Sequence, residues 1–241
     1  MKRKLSVFSM LTRHTLPVVL SILALLAVGN CVLFFAAPPA SPHLIAKVLD
    51  ADSFFWLFTA AYLALTVFLC AALCDRGGRQ NYLLHRLRIS PAAVYRTPAV
   101  YNTVCSLLLF ALEALSLLGL CALCGVKNAG WFTSQTLLLL CYQSDMLHSF
   151  FPLANIAGWL ALAAQLVGLG ICTASFSVYN RRGKTSVLPF FMAAAPLAYV
   201  LLNRKGSALD PTMPICNLFF AVCVAGISVL SALSMEVEPD A

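Results

Sequence analysis

The sequence predicts an all-α integral membrane protein: a single domain, residues 1–241, with six transmembrane helices. Hydrophobic residues make up 61% of the chain and charged residues 10%, whereas soluble domains carry about 25% charged residues. The mean hydropathy is +0.88. Apolar runs of about 20 residues, the length that crosses a bilayer, recur along the chain and leave space only for short loops. This composition excludes an ordinary soluble enzyme, a disordered chain and, despite the net charge of +7, a nucleic-acid-binding protein.

The first element is a basic segment that precedes the first apolar run. Residues 2–14 place apolar side chains on one helical face and Lys and Arg elsewhere, which predicts an interfacial helix on an anionic membrane surface. A frayed positive N-terminus is the alternative. The uncharged run that follows is longer than the h-region of a signal peptide, about 7–15 residues, and predicts a retained span. The six predicted spans are residues 16–37, 53–74, 98–125, 153–178, 186–202 and 214–234.

Prolines and one short apolar stretch refine these elements. Pro152 suits the first position of a helix and opens the fourth predicted span. Pro189 and Pro196 predict a kink in the fifth. Residues 131–142 are apolar but too short to cross a bilayer, so they predict an interfacial or re-entrant helix with aromatic anchors.

The distribution of basic residues predicts the topology. With six spans and a cytoplasmic N-terminus, most of the sixteen Lys and Arg residues fall inside. The cytoplasmic set is Lys2, Arg3, Lys4, Arg13, Arg76, Arg79, Arg86, Arg88, Arg96, Arg181, Arg182 and Lys184. The outer set is Lys47, Lys127, Arg204 and Lys205. This asymmetry follows the positive-inside rule and predicts that both termini are cytoplasmic.

Motifs of enzymes and metal sites are missing or incomplete. The chain has no His-Glu-x-x-His sequence. Residues 182–185 resemble the end of a phosphate-binding loop, but Val178 stands where that loop requires glycine. Cys121 and Cys124 have redox or metal-ligand spacing, yet no His or carboxylate completes a site locally. We therefore expect a chain that is not an enzyme by itself and that binds no metal or cofactor.

The segment between the second and third spans is basic and amphipathic. Residues 75–97 carry five Arg against one Asp, and an apolar stripe follows Gly77 and Gly78. The Ser90–Pro91 pair has the residue types of an N-cap and first helical position, so a second helix should begin there and continue into the third span. The stripe fits either the groove of a cytosolic partner or a lipid surface. The residues predicted to carry docking are Tyr82, Leu83, Leu84, Arg86, Leu87 and Arg88.

This arrangement resembles the membrane subunit of a type-2 ABC transporter, the kind found in bacterial exporters. The resemblance covers the architecture of the whole chain, and in sequence it centres on residues 82–91. It implies that residues 79–97 form the coupling helix that sits in a cleft of a separate cytosolic ATPase, which would hold ATP and Mg. It also implies pairing with a second permease subunit and location in the bacterial plasma membrane. Near the start of this loop many members of that family carry Glu and Gly-Thr, whereas this chain has Asp75 and Gly77–Gly78.

Glu113 is the one charged residue inside a predicted span. A charged residue at a helix centre costs about 2.5–3.5 kcal/mol on insertion scales, so Glu113 should face the bundle interior and find a polar partner. Candidate partners in other spans are Asn30, Gln165 and Asn217. These four residues are candidates for a translocation path or proton relay, and a protonated acid that holds helices together is the structural alternative.

Small residues at four-residue spacing predict close helix packing. Ala164, Gly168 and Cys172 follow this spacing in the fourth span, as do Ala221 and Ala225 in the sixth. Three functions fit the whole pattern: an ABC permease subunit, an ion- or proton-coupled carrier that uses Glu113, and a non-transporting membrane scaffold.

Overall fold

The computed structural model describes residues 2–37, 42–72, 91–127, 134–152, 156–181, 186–202 and 212–237. Most of these residues are helical, with no strand among them. In chain order the helices are α1 (Lys2–Ala36), α2 (Pro42–Leu49), α3 (Asp52–Ala72), α4 (Pro91–Lys127), α5 (Ser134–Gln143), α6 (Asp145–Phe150), α7 (Ile156–Arg181), α8 (Leu188–Leu202) and α9 (Thr212–Val237).

Four of these helices are long and apolar enough to cross a membrane. The qualifying segments are Thr15–Ala36, Asp52–Ala71, Tyr95–Gly125 and Ile156–Ser177. In α9 the apolar segment Pro214–Leu230 is shorter, and α8 has 15 residues, or about 22 Å of helix. The hydrocarbon core of a bilayer is about 30 Å thick. The predicted class, a helical membrane protein, is confirmed at this level, and the count of six spans stays a prediction.

The bundle has an apolar surface and polar residues in its interior. Large side chains such as Leu25 and Phe219 are more than two-thirds exposed. Asn30, Glu113 and Gln165 are almost completely buried. A soluble domain would reverse this pattern, because exposed apolar patches larger than a few hundred Å² are rare on soluble monomers. The exposed apolar face therefore suits contact with lipid.

Helices α1, α4, α7 and α9 pack in series, and α3 contacts α1, α4, α7 and α8. On α1 and α4, Thr15 bonds to Tyr101 and Asn30 bonds to Glu113, so residue numbers rise together along the two helices. These helices are parallel.

The direction of α7 is opposite to that of α4. Phe150, just before α7, packs against Phe110 with ring centroids 5.5 Å apart. Further along α7, Thr173 bonds to Asn102, which lies nearer the start of α4. Helices α7 and α9 are parallel, because Gly168 lies beside the Ala221 carbonyl and Cys172 beside Ser228.

Residues 2–14, predicted to form an interfacial helix, are helical and continuous with the first predicted span, and their position on the membrane surface stays a prediction. A single helix, α1, runs from Lys2 to Ala36 with Pro17 inside it. The ring of Phe8 packs edge-on against Tyr101 of α4 at 6.0 Å, so this part of α1 lies beside the bundle. The continuity has a simple cause. Residues 2–14 contain no helix breaker, and Pro17 removes only one backbone N–H from the hydrogen-bond ladder.

Three boundaries complete the comparison with the predicted elements. Helix α4 begins at Pro91, as the Ser90–Pro91 pair predicts. Helix α7 begins at Ile156, so Pro152 precedes this helix and does not open it, contrary to the prediction. Helix α2, residues Pro42–Leu49, lies between the first two predicted spans and was not predicted.

Of the apolar stretch predicted over residues 131–142, residues 134–142 lie in α5, which has ten residues and is too short to cross a bilayer. After α5 the chain turns at Ser144 into α6, whose last residue, Phe150, contacts both Phe110 and Phe58. Phe110 lies about 25 Å from the Lys127 end of α4 at 1.5 Å per residue. Residues 134–150 therefore fold back along the bundle to the middle of α4.

Candidate functional site

The intramembrane carboxyl group lies on the buried face of α4. Asn102, Ser106, Leu109 and Glu113 recur at three- and four-residue spacing on α4, and each is buried. Residues at this spacing lie on one side of a helix. The side chain of Glu113 is 0% exposed and points to α1, which packs along this side of α4.

Asn30 is the hydrogen-bond partner of Glu113. Its amide Nδ2 donates to Glu113 Oε2 at 2.7 Å and to Ser116 Oγ at 2.9 Å. The Ser116 hydroxyl in turn donates to the backbone carbonyl of Glu113 at 2.9 Å. Both N–H groups of the Asn30 amide are thus used, and the three side chains form one polar cluster between α1 and α4.

Two acceptor atoms of this cluster lack a hydrogen bond. They are Asn30 Oδ1 and Glu113 Oε1, and both are buried. A buried polar atom without a partner costs about 1–3 kcal/mol, more if it is charged. The cluster therefore has hydrogen-bonding capacity left over on each of its two principal residues.

Apolar side chains enclose the cluster along both helices. One turn away on α1 are Leu26 and Phe34, and one turn away on α4 are Leu109 and Leu117. All four are at most 2% exposed. Beside Asn30, the side chain of Leu57 on α3 lies against Gly29, where an added Cβ would come within 2.7 Å of it. The surroundings of Glu113 are thus apolar.

The other two predicted partners of Glu113 lie elsewhere. Gln165 on α7 is 1% exposed, and neither its amide nitrogen nor its amide oxygen has a hydrogen-bond partner. Asn217 on α9 is half-buried. No hydrogen bond joins Gln165 or Asn217 to Glu113, so the structure brings together Asn30 and Glu113 alone among the four candidates.

A second polar contact was not found from the sequence. Asp50, in the turn after α2, accepts hydrogen bonds through Oδ1 from Ser144 Oγ at 2.7 Å and from the Met146 backbone N–H at 3.1 Å. Ser144 also caps α6, because its Oγ accepts from Leu147 N at 3.3 Å. The Ser144–Asp145 pair is an N-cap signal that predicts the start of α6, but nothing in the sequence indicates Asp50 as its partner.

The predicted docking residues, Tyr82, Leu83, Leu84, Arg86, Leu87 and Arg88, lie outside the described residues. Of the basic segment, residues 91–97 are described as the first two turns of α4, where Arg96 is exposed. Cys121 and Cys124 both lie on α4, the first buried and the second half-buried. Cys141 on α5 is also buried, and burial raises the pKa of its thiol. Within the described ranges, no group of three or more His, Cys, Asp or Glu side chains is placed to hold a metal ion.

Comparison of the chain with protein-family models, with curated proteins and with solved structures finds no match.

Proposed function

We propose that the chain is a permease subunit of a membrane export complex, with six membrane-crossing helices, and that a separate cytosolic ATPase drives it. A second permease subunit, identical or similar, would complete the membrane part. The proposed setting is a bacterial plasma membrane with both termini in the cytoplasm. Under this proposal the chain itself hydrolyses no ATP, and ATP and Mg bind to the partner.

The helix directions support the six-span arrangement. Parallel α1 and α4 correspond to the first and third spans, and α7 runs opposite to α4 as a fourth span would. Helix α9 is parallel to α7. Helix α8 lies between them in the chain and packs against both, so under this proposal it would be the returning fifth span. At 15 residues, α8 is short for a bilayer of ordinary thickness, and a locally thinner bilayer would accommodate it.

The continuity of α4 is the observation that carries the proposal. The helix is unbroken from Pro91, inside the basic segment, to Lys127, and it includes Pro98. Arg96 is exposed near its start, and Glu113 lies about 25 Å further along the same helix. A partner that moves the start of α4, residues 91–97, would therefore move the Asn30–Glu113 contact through a single rigid element. This is the mechanical link that an ATPase-driven permease requires.

Copurification tests the proposal. Wild-type protein, purified in mild detergent, should retain a cytosolic ATPase. The double substitution Leu83→Asp with Leu87→Asp should still insert and fold but lose the ATPase, because burying two unpaired carboxylates in a docking face costs several kcal/mol. That loss is enough to release a partner of micromolar affinity, about −8 kcal/mol. Arg88→Gln, which removes one basic residue of the same segment, is the control for insertion and topology.

If wild-type protein that remains monodisperse retains no ATPase, the permease proposal fails. A proton- or ion-coupled carrier is then the better candidate, and the buried carboxyl group of Glu113, with Oε1 unpartnered, is the observation that favours it. In that case Glu113→Gln should abolish transport by the purified protein in liposomes, with no ATPase present.

A further inference from the structure

The Asn30–Glu113 pair lacks one hydrogen-bond donor, which a single added proton would supply. An amide has two N–H donors, and those of Asn30 go to Glu113 Oε2 and Ser116 Oγ. What remains is one acceptor on each residue, Asn30 Oδ1 and Glu113 Oε1, with no donor for either. An ionised carboxylate only accepts, whereas a protonated carboxyl group has one O–H donor. One proton on Oε1 would supply a donor for Asn30 Oδ1 and satisfy both atoms.

The surroundings favour this neutral form. The adjacent turns of α1 and α4 present Leu26, Phe34, Leu109 and Leu117, all at most 2% exposed, and these side chains offer no positive charge. Burying an isolated carboxylate in such surroundings is costly, and a buried group of this kind takes up a proton instead. A metal ion is a poor alternative to this proton. Ca²⁺ takes about six to eight oxygen ligands, and this cluster has two free oxygens.

We propose that Glu113 is a proton-binding site, in which the protonated carboxyl group and the Asn30 amide form a cyclic pair that joins α1 to α4. In this pair Asn30 Nδ2–H donates to Glu113 Oε2, and Glu113 Oε1–H donates to Asn30 Oδ1. The ligand is a single proton. This inference does not rest on the proposed transport function, and it applies equally to a permease, a carrier or a scaffold.

Infrared spectroscopy of the full chain in detergent tests the site directly. At neutral pH the wild-type protein should show the carbonyl band of a protonated carboxylic acid, above the amide I region, with a small downshift in D₂O. Glu113→Gln should remove this band. Asn30→Leu should shift it to higher frequency, because the carboxyl group loses its hydrogen-bond partner. Gln165→Leu, which alters another buried amide, is the matched control and should leave the band in place.

Thermal unfolding in the same detergent provides a second measurement. Glutamine is the neutral counterpart of the protonated acid and can form the same ring, since its amide donates one N–H and accepts another. Glu113→Gln should therefore unfold within a few degrees of wild type, and Glu113→Leu should unfold clearly earlier. The proposal is overturned if the wild type lacks an acid band that Glu113→Gln removes. It is also overturned if Asn30→Leu leaves the band unmoved, or if Glu113→Gln destabilises as much as Glu113→Leu.

Discussion

Helix α4 has two interfaces that are held together in different ways. Toward α1, the contact depends on side-chain chemistry, because Asn30, Glu113 and Ser116 exchange hydrogen bonds inside an apolar shell. Toward α7, the contact depends on the close approach of two backbones. A Cβ added at Gly170 would lie 2.8 Å from the Ala99 carbonyl oxygen and 2.7 Å from the Thr103 nitrogen.

The difference shows what each interface tolerates. A polar pair accepts any side chain that reproduces its donors and acceptors, and it rejects a charge without a partner. A backbone contact accepts any chemistry that fits the space, and it rejects volume, because a helix backbone cannot move aside as a side chain can. Substitutions at the α1 interface of α4 should therefore be sensitive to charge, and substitutions at the α7 interface should be sensitive to side-chain size.

The largest effect is expected from Glu113→Lys. Lysine has no acceptor for the Asn30 amide and brings a positive charge into the apolar shell, for which insertion scales give about 2.5–3.5 kcal/mol. The yield of membrane-inserted, monodisperse protein should fall several-fold relative to wild type, whereas Glu113→Gln should keep it near the wild-type level. Size-exclusion chromatography of matched membrane preparations provides the measurement. Equal yields for the Lys and Gln variants would mean that this side chain reaches water, and the comparison between the two faces would fail.

The sequence was sufficient for the helical membrane class and for Glu113, one member of the polar pair at the α1 interface. Hydropathy finds the long helices because a buried or lipid-facing backbone needs apolar side chains over about 20 residues. Glu113 was identifiable because a lone charge in an apolar run has few alternatives. Its partner could not be identified as Asn30 rather than Gln165 or Asn217, because that depends on which helices pack together and in which register. Gln165 is equally buried, but on α7.

The α7 interface was only partly predictable, for a related reason. Four-residue spacing indicated Gly168, which the structure places beside Ala221 of α9. The tighter contact is at Gly170, which the spacing did not indicate. A pattern of small residues shows where helices can approach closely, but it cannot show whether the neighbour is backbone or a flexible side chain.

An effect of intermediate size is expected from Gly170→Ala. The added methyl group would meet the backbone of α4, and overpacking of this kind costs about 1–3 kcal/mol. The variant should unfold at a lower temperature than wild type in the same detergent. Gly168→Ala is the matched comparison on α7 and should cost less, because its methyl group meets the flexible end of Met192.

Gly119→Ala is the control for this pair on α4, since its Cβ would meet no atom within 4 Å. Alanine also has a higher helix propensity than glycine, so this variant should be no less stable than wild type. A Gly168→Ala variant less stable than Gly170→Ala would place the tight backbone contact between α7 and α9, and the contrast between the two faces of α4 would have to be withdrawn.

The smallest effect is expected from a side-chain hydrogen bond on the α7 face, between Asn102 and Thr173. Asn102 Nδ2 donates to Thr173 Oγ1 at 2.9 Å, and both residues are buried. Double-mutant cycles between membrane helices average about 0.6 kcal/mol for such a bond. The cycle of Asn102→Leu and Thr173→Val should give a coupling of that size from unfolding in detergent. The cycle of Asn30→Leu and Glu113→Leu should give a larger one, nearer the upper value of about 1.7 kcal/mol, because a cyclic pair has two hydrogen bonds and an apolar enclosure. If the Asn102–Thr173 coupling is the larger, the α7 face is also held by side-chain chemistry, and Glu113 loses its distinct role in joining α4 to its neighbours.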